Sequence, residues 1–329
     1  MYSGISGMKV NQAKLDVIGN NIANVGTTGF KSSSARFKDM LYQNAGEATS
    51  PTATKGGTNA KQVGLGAQLS SINKVMGQGN ALSTGRSLDV CVDGDGYLMV
   101  AKGNIEGNIV VDTANSNAIG TGGTMDETLY TRDGNLTLDE NGNLLTADGY
   151  RVMGYYTATS PLTLNTTTGA LDATYEDADT ATFTSGELRP LAIPDSVTDA
   201  SGNQQAVKKF QIGKDGVITA ILGDGTISAL GQIAMASFKN PEGLTGIGGN
   251  LYEVSSNSGD AIIRSESKTT GTDNSGGYGD IIQGCLEGSN VDLTEQFTDM
   301  ITATRSFQAA GKMITTGDEI LQTITGLMR

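Results

Sequence analysis

Both ends of this chain carry a seven-residue apolar repeat, and that repeat restricts what lies between them. From Leu293 to Met328 the positions Leu293, Met300, Phe307, Ile314, Leu321 and Met328 are seven apart. A weaker series, Phe297, Thr304, Gly311, Asp318 and Thr325, is offset by four. Alternating steps of four and three place both series on one narrow helical stripe, the seam of a coiled coil. Met1, Met8, Leu15 and Ile22 repeat the pattern at the start, with Ile5, Gln12 and Gly19 between them. An amphipathic helix ordinarily packs on its own domain's core. Stripes this narrow, at the two chain ends, instead predict helix-on-helix packing within a subunit and between subunits.

Between the ends the composition is that of β-structure with many turns. Gly accounts for 46 of 329 residues, about twice ordinary usage, aromatic residues are few and Trp is absent. The net charge of −13 repels phosphate backbones and argues against a nucleic-acid partner. The sequence contains no His, so the usual neutral-pH general base and the commonest metal ligand are missing. Nothing here predicts a catalytic residue, a cofactor or a metal site. Cys91 and Cys285 are too far apart in sequence for a C-x-x-C motif; they read as two buried free thiols or as a pair. No apolar run reaches about 18 residues, so no membrane span is predicted. The N-terminus lacks the apolar core of a secretory signal, which leaves a cytosolic protein or one exported by a dedicated apparatus.

Along the chain, residues 1–31 with 285–329 read as a terminal helical domain. Asp292 or Ser289 is placed to cap the second helix. Residues 32–69 are polar and read as an extended connector. Residues 70–154 with 205–284 form a β-rich middle domain, and 155–204, rich in Thr, Ala and Asp, a small outer β module. The predicted fold class is α+β, mainly β: terminal coiled-coil-like helices with antiparallel β domains between them, in nested discontinuous domains. Residues 1–40 hold five Lys/Arg and two Asp, net +3, whereas 286–329 hold six Asp/Glu and three Lys/Arg, net −3. Opposite signs favour pairing of the ends, though exposed charges add little.

The turn-rich motifs have plain readings. Asp93-Gly94-Asp95-Gly96 lies between two apolar runs and lacks the later Glu of a calcium loop, so it reads as a hairpin turn. Asp133-Gly134-Asn135, Asn141-Gly142-Asn143 and Asp148-Gly149 read likewise. Gly64-Leu65-Gly66 and Gly77-Gln78-Gly79 match no nucleotide-binding fingerprint. Cys91 sits in a strand pattern, with Val90 and Val92 on the face opposite it.

One stretch resembles a known signature. Asn20-Asn21-Ile22-Ala23-Asn24-Val25-Gly26-Thr27-Thr28-Gly29-Phe30-Lys31 is similar to the N-terminal signature of bacterial flagellar rod and hook proteins. Leu88–Val100, Tyr130–Tyr155, Gln232–Tyr252 and Ser289–Arg329 resemble the same axial family, over more than a third of the chain. Within it, the ending around Phe297–Met300 and Lys312–Glu319 resembles hook subunits, and 157–204 falls where hook proteins insert an outer domain.

The resemblance implies a non-enzymatic structural subunit that self-assembles into the flagellar hook, a flexible tubular universal joint passing motor torque to the filament. The alternative is the distal rod protein of the basal body; a secreted β-scaffold enzyme or adhesin is a more distant one. It also implies export through the flagellar type III apparatus without a cleavable signal peptide, to an extracellular place in the hook and basal body. The implied partners are further copies of the chain, the distal rod protein, the hook–filament junction protein and the hook cap. Met1, Ile5, Met8, Leu15, Ile22, Leu293, Phe297, Met300, Phe307, Ile314, Leu321 and Met328 are the candidate interface residues. Some relatives cross-link a Cys to a neighbouring subunit's Lys, which makes Cys91 a candidate for such a bond.

Overall fold

The computed structural model describes residues 2–113, 117–157, 163–164, 171–184, 186–199, 202–264 and 279–327. The chain divides into two compact units. The helical unit comprises Met1–Val25, Lys31–Val75 and Val291–Arg329. The sheet unit comprises Gly26–Phe30 and Met76–Asn290. Met1 and Met328, the outermost candidate interface residues, lie outside the described residues.

In the helical unit, α1 spans Tyr2–Ala23 and α2 spans Leu293–Leu327. Asp292, rather than Ser289, caps α2: its Oδ1 accepts from the Thr294 N–H at 2.8 Å and its carbonyl from the Gln296 N–H at 3.0 Å. The helices run antiparallel. Gly4 stands against the Ala310 carbonyl and Ile314, Gly7 against Ala310, and Met8 against Gly311. Near the other end, Lys14 Nζ pairs with Asp299 Oδ2 at 3.1 Å and Asn21 bonds Gln296. Small residues at the crossing let the two backbones approach closely, and polar pairs reinforce the contact.

The expectation for 32–69 needs correction, because this segment is not an extended connector. Ser33–Asp39 pairs antiparallel with Ala67–Lys74, from Ser33 opposite Lys74 to Asp39 opposite Ala67, with a bulge between Arg36 and Phe37. Tyr42–Gly46 pairs with Lys61–Gly64 in the same manner. The segment doubles back into a β ribbon, and its base packs on α1. Gly66, at φ +117°, lies so close to Ser6 that a Cβ there would collide with the serine hydroxyl.

The sheet unit is built around Tyr97–Lys102, which is buried over its first five residues. It pairs antiparallel with Glu127–Thr131, Arg151–Tyr156 and Met235–Ser237. Successive side chains of a strand point to opposite faces. Leu98 and Val100 accordingly join one core with Leu136, Leu144, Val152 and Ile218. Tyr97, Met99 and Ala101 join a second core with Tyr130, Met153 and Leu188. Gln204–Ile212, Val217–Leu222 and Ile227–Ile233 form an antiparallel meander, the last strand pairing back to Arg151–Tyr156.

Residues 155–204 were expected to form a separate outer module. Parts of this stretch lie outside the described residues, but the rest is woven into the sheet unit. Met153 pairs with Pro190, Glu187 with Val110, and Ser196 with Ala206. Leu188, Leu191, Val197 and Phe183 are buried in the two cores. In Glu187–Pro190 the alternation holds, with Leu188 and Pro190 turned inward, and the run Leu191–Ile193 that follows is buried throughout.

The Asn141-Gly142-Asn143 hairpin forms as expected, joining Leu136–Leu138 to Leu144–Thr146, with Gly142 at φ +81°. Asp93-Gly94-Asp95-Gly96 does not close a hairpin. The strand before it, Val90–Asp93, pairs with Asp280–Gln283, and the strand after it pairs elsewhere. The turn carries the chain from one sheet to another.

Candidate functional site

The helical unit carries the exposed apolar surface expected of an assembling chain. Within a single copy, Leu293, Phe297, Phe307 and Leu321 of α2 are exposed, as are Ile301, Met313, Ile320, Ile324 and Leu327. Met300 and Ile314 are half-buried, Ile314 against Gly4 of α1. The only α2 residue classed as buried is Ala303. On α1, Met8, Leu15 and Ile22 are half-buried, Ile5 is exposed, and the deepest side chains are Val10, Ile18 and Asn21. The seven-residue rows therefore straddle the helix pair: some members face the partner helix and the rest face outward.

A groove of about 490 Å³ lies between α1 and the base of the ribbon. Its walls are mostly apolar, with Ile5, Val10 and Ala13 on one side and Met40, Leu65 and Leu69 on the other. Lys9 sits at its edge. The sequence reading missed this groove because it took the ribbon for a connector. The alternating segment Ala67–Val75 was legible in the sequence, but its antiparallel partner Ser33–Asp39 was not.

The signature stretch Asn20–Lys31 splits between the two units. Asn20 and Asn24 sit at the C-terminal end of α1, where Asn24 Nδ2 donates to the Asn20 carbonyl and Oδ1 at 2.9 Å each. Asn21 is almost fully buried. Its Nδ2 donates to the Ser33 carbonyl at 2.8 Å and to Gln296 Oε1 at 3.0 Å, while its Oδ1 accepts from the Ser33 N–H at 2.9 Å. One side-chain amide thus ties α1 to the first ribbon strand and to α2. Ala23 ends α1 and is exposed, and Lys31 is buried where the ribbon begins.

The turn Gly26–Phe30 belongs to the sheet unit. The Thr28 hydroxyl donates to Asp133 Oδ1 at 2.9 Å, and Asn250 Nδ2 donates to the Thr28 carbonyl at 2.8 Å. The Gly29 N–H donates to the Glu287 carbonyl at 2.8 Å, and the Phe30 carbonyl accepts from the Asn290 N–H at 3.4 Å. Gly29 adopts φ +67°, and a Cβ there would lie 2.9 Å from the Asp133 nitrogen. Only glycine meets both demands. Burial raises the Asp133 carboxyl from its ordinary pKa, against the lowering effect of the Thr28 bond.

Beneath this turn lies a buried ion pair that the sequence did not disclose. Arg132 Nη1 is 3.4 Å from Glu287 Oε2, with the side chains 3% and 0% exposed. Arg132 Nη2 donates to the Gly94 carbonyl at 2.8 Å, and its guanidinium stacks 5.1 Å from the centre of the Tyr97 ring. Glu287 Oε1 accepts from the Gly79 N–H at 2.9 Å.

Cys91, the candidate for a bond to a neighbouring subunit, lies in the strand Val90–Asp93. Its thiol is fully buried, and burial, aided by the nearby Glu287 charge, pushes its pKa up to about 11. A buried, protonated thiol is a poor partner for a neighbouring subunit's lysine. Cys285 is half-buried, and both thiols are free. Among the described residues no cluster of side chains suits a metal ion, and no helix is long and apolar enough to cross a membrane.

Comparison with known proteins gives three family matches. Residues 1–31 match the flagella basal body rod protein family, 121–220 the flagellar hook protein FlgE/F/G D1 domain, and 282–327 the flagellar basal body rod FlgEFG protein C-terminal family. The chain is 40% identical to the flagellar basal-body rod protein FlgG of Bacillus subtilis, over 100% of this chain and 98% of that protein. It is 29% identical to the flagellar hook protein FlgE of Borreliella burgdorferi, over 99% of each. Among solved structures, the hook protein FlgE2 of Helicobacter pylori matches at a TM-score of 0.40 and 12% identity, covering 63% of this chain and 100% of that one.

Proposed function

The chain belongs to the flagellar FlgE/F/G rod and hook protein family, and on that premise we propose that it is a subunit of the hook, the flexible joint of the flagellum. As a member of that family it is a structural component of the flagellar axis and not an enzyme. Its helical unit would line the tube, and successive copies would meet through the outward-facing members of the seven-residue rows. The observation that carries the reading is the apolar surface of α2: Phe297, Phe307, Leu321 and Ile324 are exposed in one copy. A helix that keeps such a row in water is stabilised by covering it. Non-closing, head-to-tail contacts between identical copies generate a helical filament. The proposed partners at the ends of that filament are the distal rod protein, the hook–filament junction protein and the hook cap. Export by the flagellar type III apparatus, without a cleaved signal peptide, fits a chain that works outside the cell.

A second reading, the distal rod, is favoured by one observation: the full-length match at 40% identity is to a protein named as a rod subunit. Negative-stain electron microscopy of the purified, concentrated chain tests both. Curved tubes are expected for a hook subunit and straight, stiff ones for a rod subunit. Persistent monomers at every concentration would refute assembly through the terminal helices.

A further inference from the structure

We propose that the groove between α1 and the ribbon base receives the C-terminal end of α2 from a second copy of the chain. The inference rests on the assembly reading above and names the contact that reading leaves open. The groove is open to solvent, apolar, and walled by Ile5, Val10, Met40, Leu65 and Leu69, with Lys9 at its edge. Its size and lining suit one amphipathic helix face.

The end of α2 has the matching form. Gly4, near the start of α1, already stands opposite Ile314, so the described part of α2 runs on past that level to Leu327. That continuation is roughly 20 Å of helix at 1.5 Å per residue. Its exposed apolar residues, Ile320, Leu321, Ile324 and Leu327, recur at the spacing of helix-in-groove anchors. Asp318 and Glu319 precede them, opposite in sign to the Lys9 of the groove. The continuous helix carries this end away from its own groove, so the occupant must come from another copy. Each copy then offers one groove and one helix end. The contact joins two different surfaces and does not close, the condition for a linear polymer.

Disulfide trapping tests the contact without requiring polymer. Leu69→Cys places a thiol in the groove, and Leu321→Cys or Ile324→Cys places one on the helix end. The two single variants are mixed at high concentration and oxidised. We expect covalent dimers in the mixture at least tenfold above either variant alone and above the wild-type chain, whose half-buried Cys285 sets the background. A mixture no more cross-linked than its separate components would overturn the docking. A second arm uses Lys9→Glu, which should weaken assembly, and Lys9→Glu combined with Glu319→Lys, which should restore it. Equal assembly of wild type and Lys9→Glu would also count against the contact. Wild-type tubes without trapping would leave the assembly reading standing and remove only this docking. Trapping without tubes would do the reverse.

Discussion

Replacing Arg132 by Met should unfold the sheet unit at a much lower denaturant concentration than wild type requires. Arg132 and Glu287 face each other 3.4 Å apart with almost no solvent contact. Methionine fills much of the side-chain volume but removes the cation beside the Glu287 carboxylate, the bond to the Gly94 carbonyl and the stacking on Tyr97. Removing one member of a buried pair costs about 3–5 kcal/mol, because the other charge stays in a low-dielectric setting. For a unit of this size each kcal/mol lowers Tm by about 2–4 °C, so a fall of roughly 6–20 °C is expected. Urea and thermal unfolding followed by tyrosine fluorescence measure the two effects, since the chain has no Trp and Tyr97, Tyr130 and Tyr252 all lie in this unit. The double variant Arg132→Met/Glu287→Leu, which removes both charges, should recover most of the loss. A single-variant cost below about 1 kcal/mol, or a double variant as unstable as the sum of the singles, would refute the argument that the pair is held together by mutual burial.

Gly29→Ala should cost at least about 2 kcal/mol in the same assay, combining a left-handed backbone angle with a clash against the Asp133 backbone. A neutral result would show that the turn relaxes easily. Phe307→Asp should reduce tube formation at fixed concentration while changing monomer stability by no more than about 0.5 kcal/mol, because Phe307 is exposed in one copy; Gln308→Asp, one residue round the helix, should assemble more nearly as wild type does. Replacing 155–204 by a short Gly-Ser linker should yield misfolded protein, since it removes Leu188, Leu191 and Val197 from the cores; a soluble, cooperatively folding product would contradict their structural role. Stability should fall as pH rises above about 9, the unfolded thiol pKa. Between that value and about 11 the unfolded Cys91 has lost its proton and the folded one has kept it, so the folded state becomes relatively less stable. Tyr97, raised to about 12 by burial, extends the decline to higher pH. Cys91→Val should remove the first part of it.

The sequence alone determined the helices, several turns and the family. Seven-residue periodicity is a local property of the chain, and it marks α1 and α2 whatever they pack against. Asn-Gly and Asp-Gly turns are local for the same reason, as the Asn141–Asn143 hairpin illustrates. The signature from Asn20 to Lys31 was equally legible, but what its residues do was not. Asn21 bonds residues 12 and 275 positions away, and Gly29 is required by the backbone at Asp133. Tertiary structure also decided the fate of the two weakly apolar stretches. In 32–69 and 155–204 the few apolar residues find their places only when a partner strand sets their register. The Arg132–Glu287 pair, 155 residues apart, followed no spacing rule. Only chain folding brings the two charges together, and only burial makes their pairing consequential.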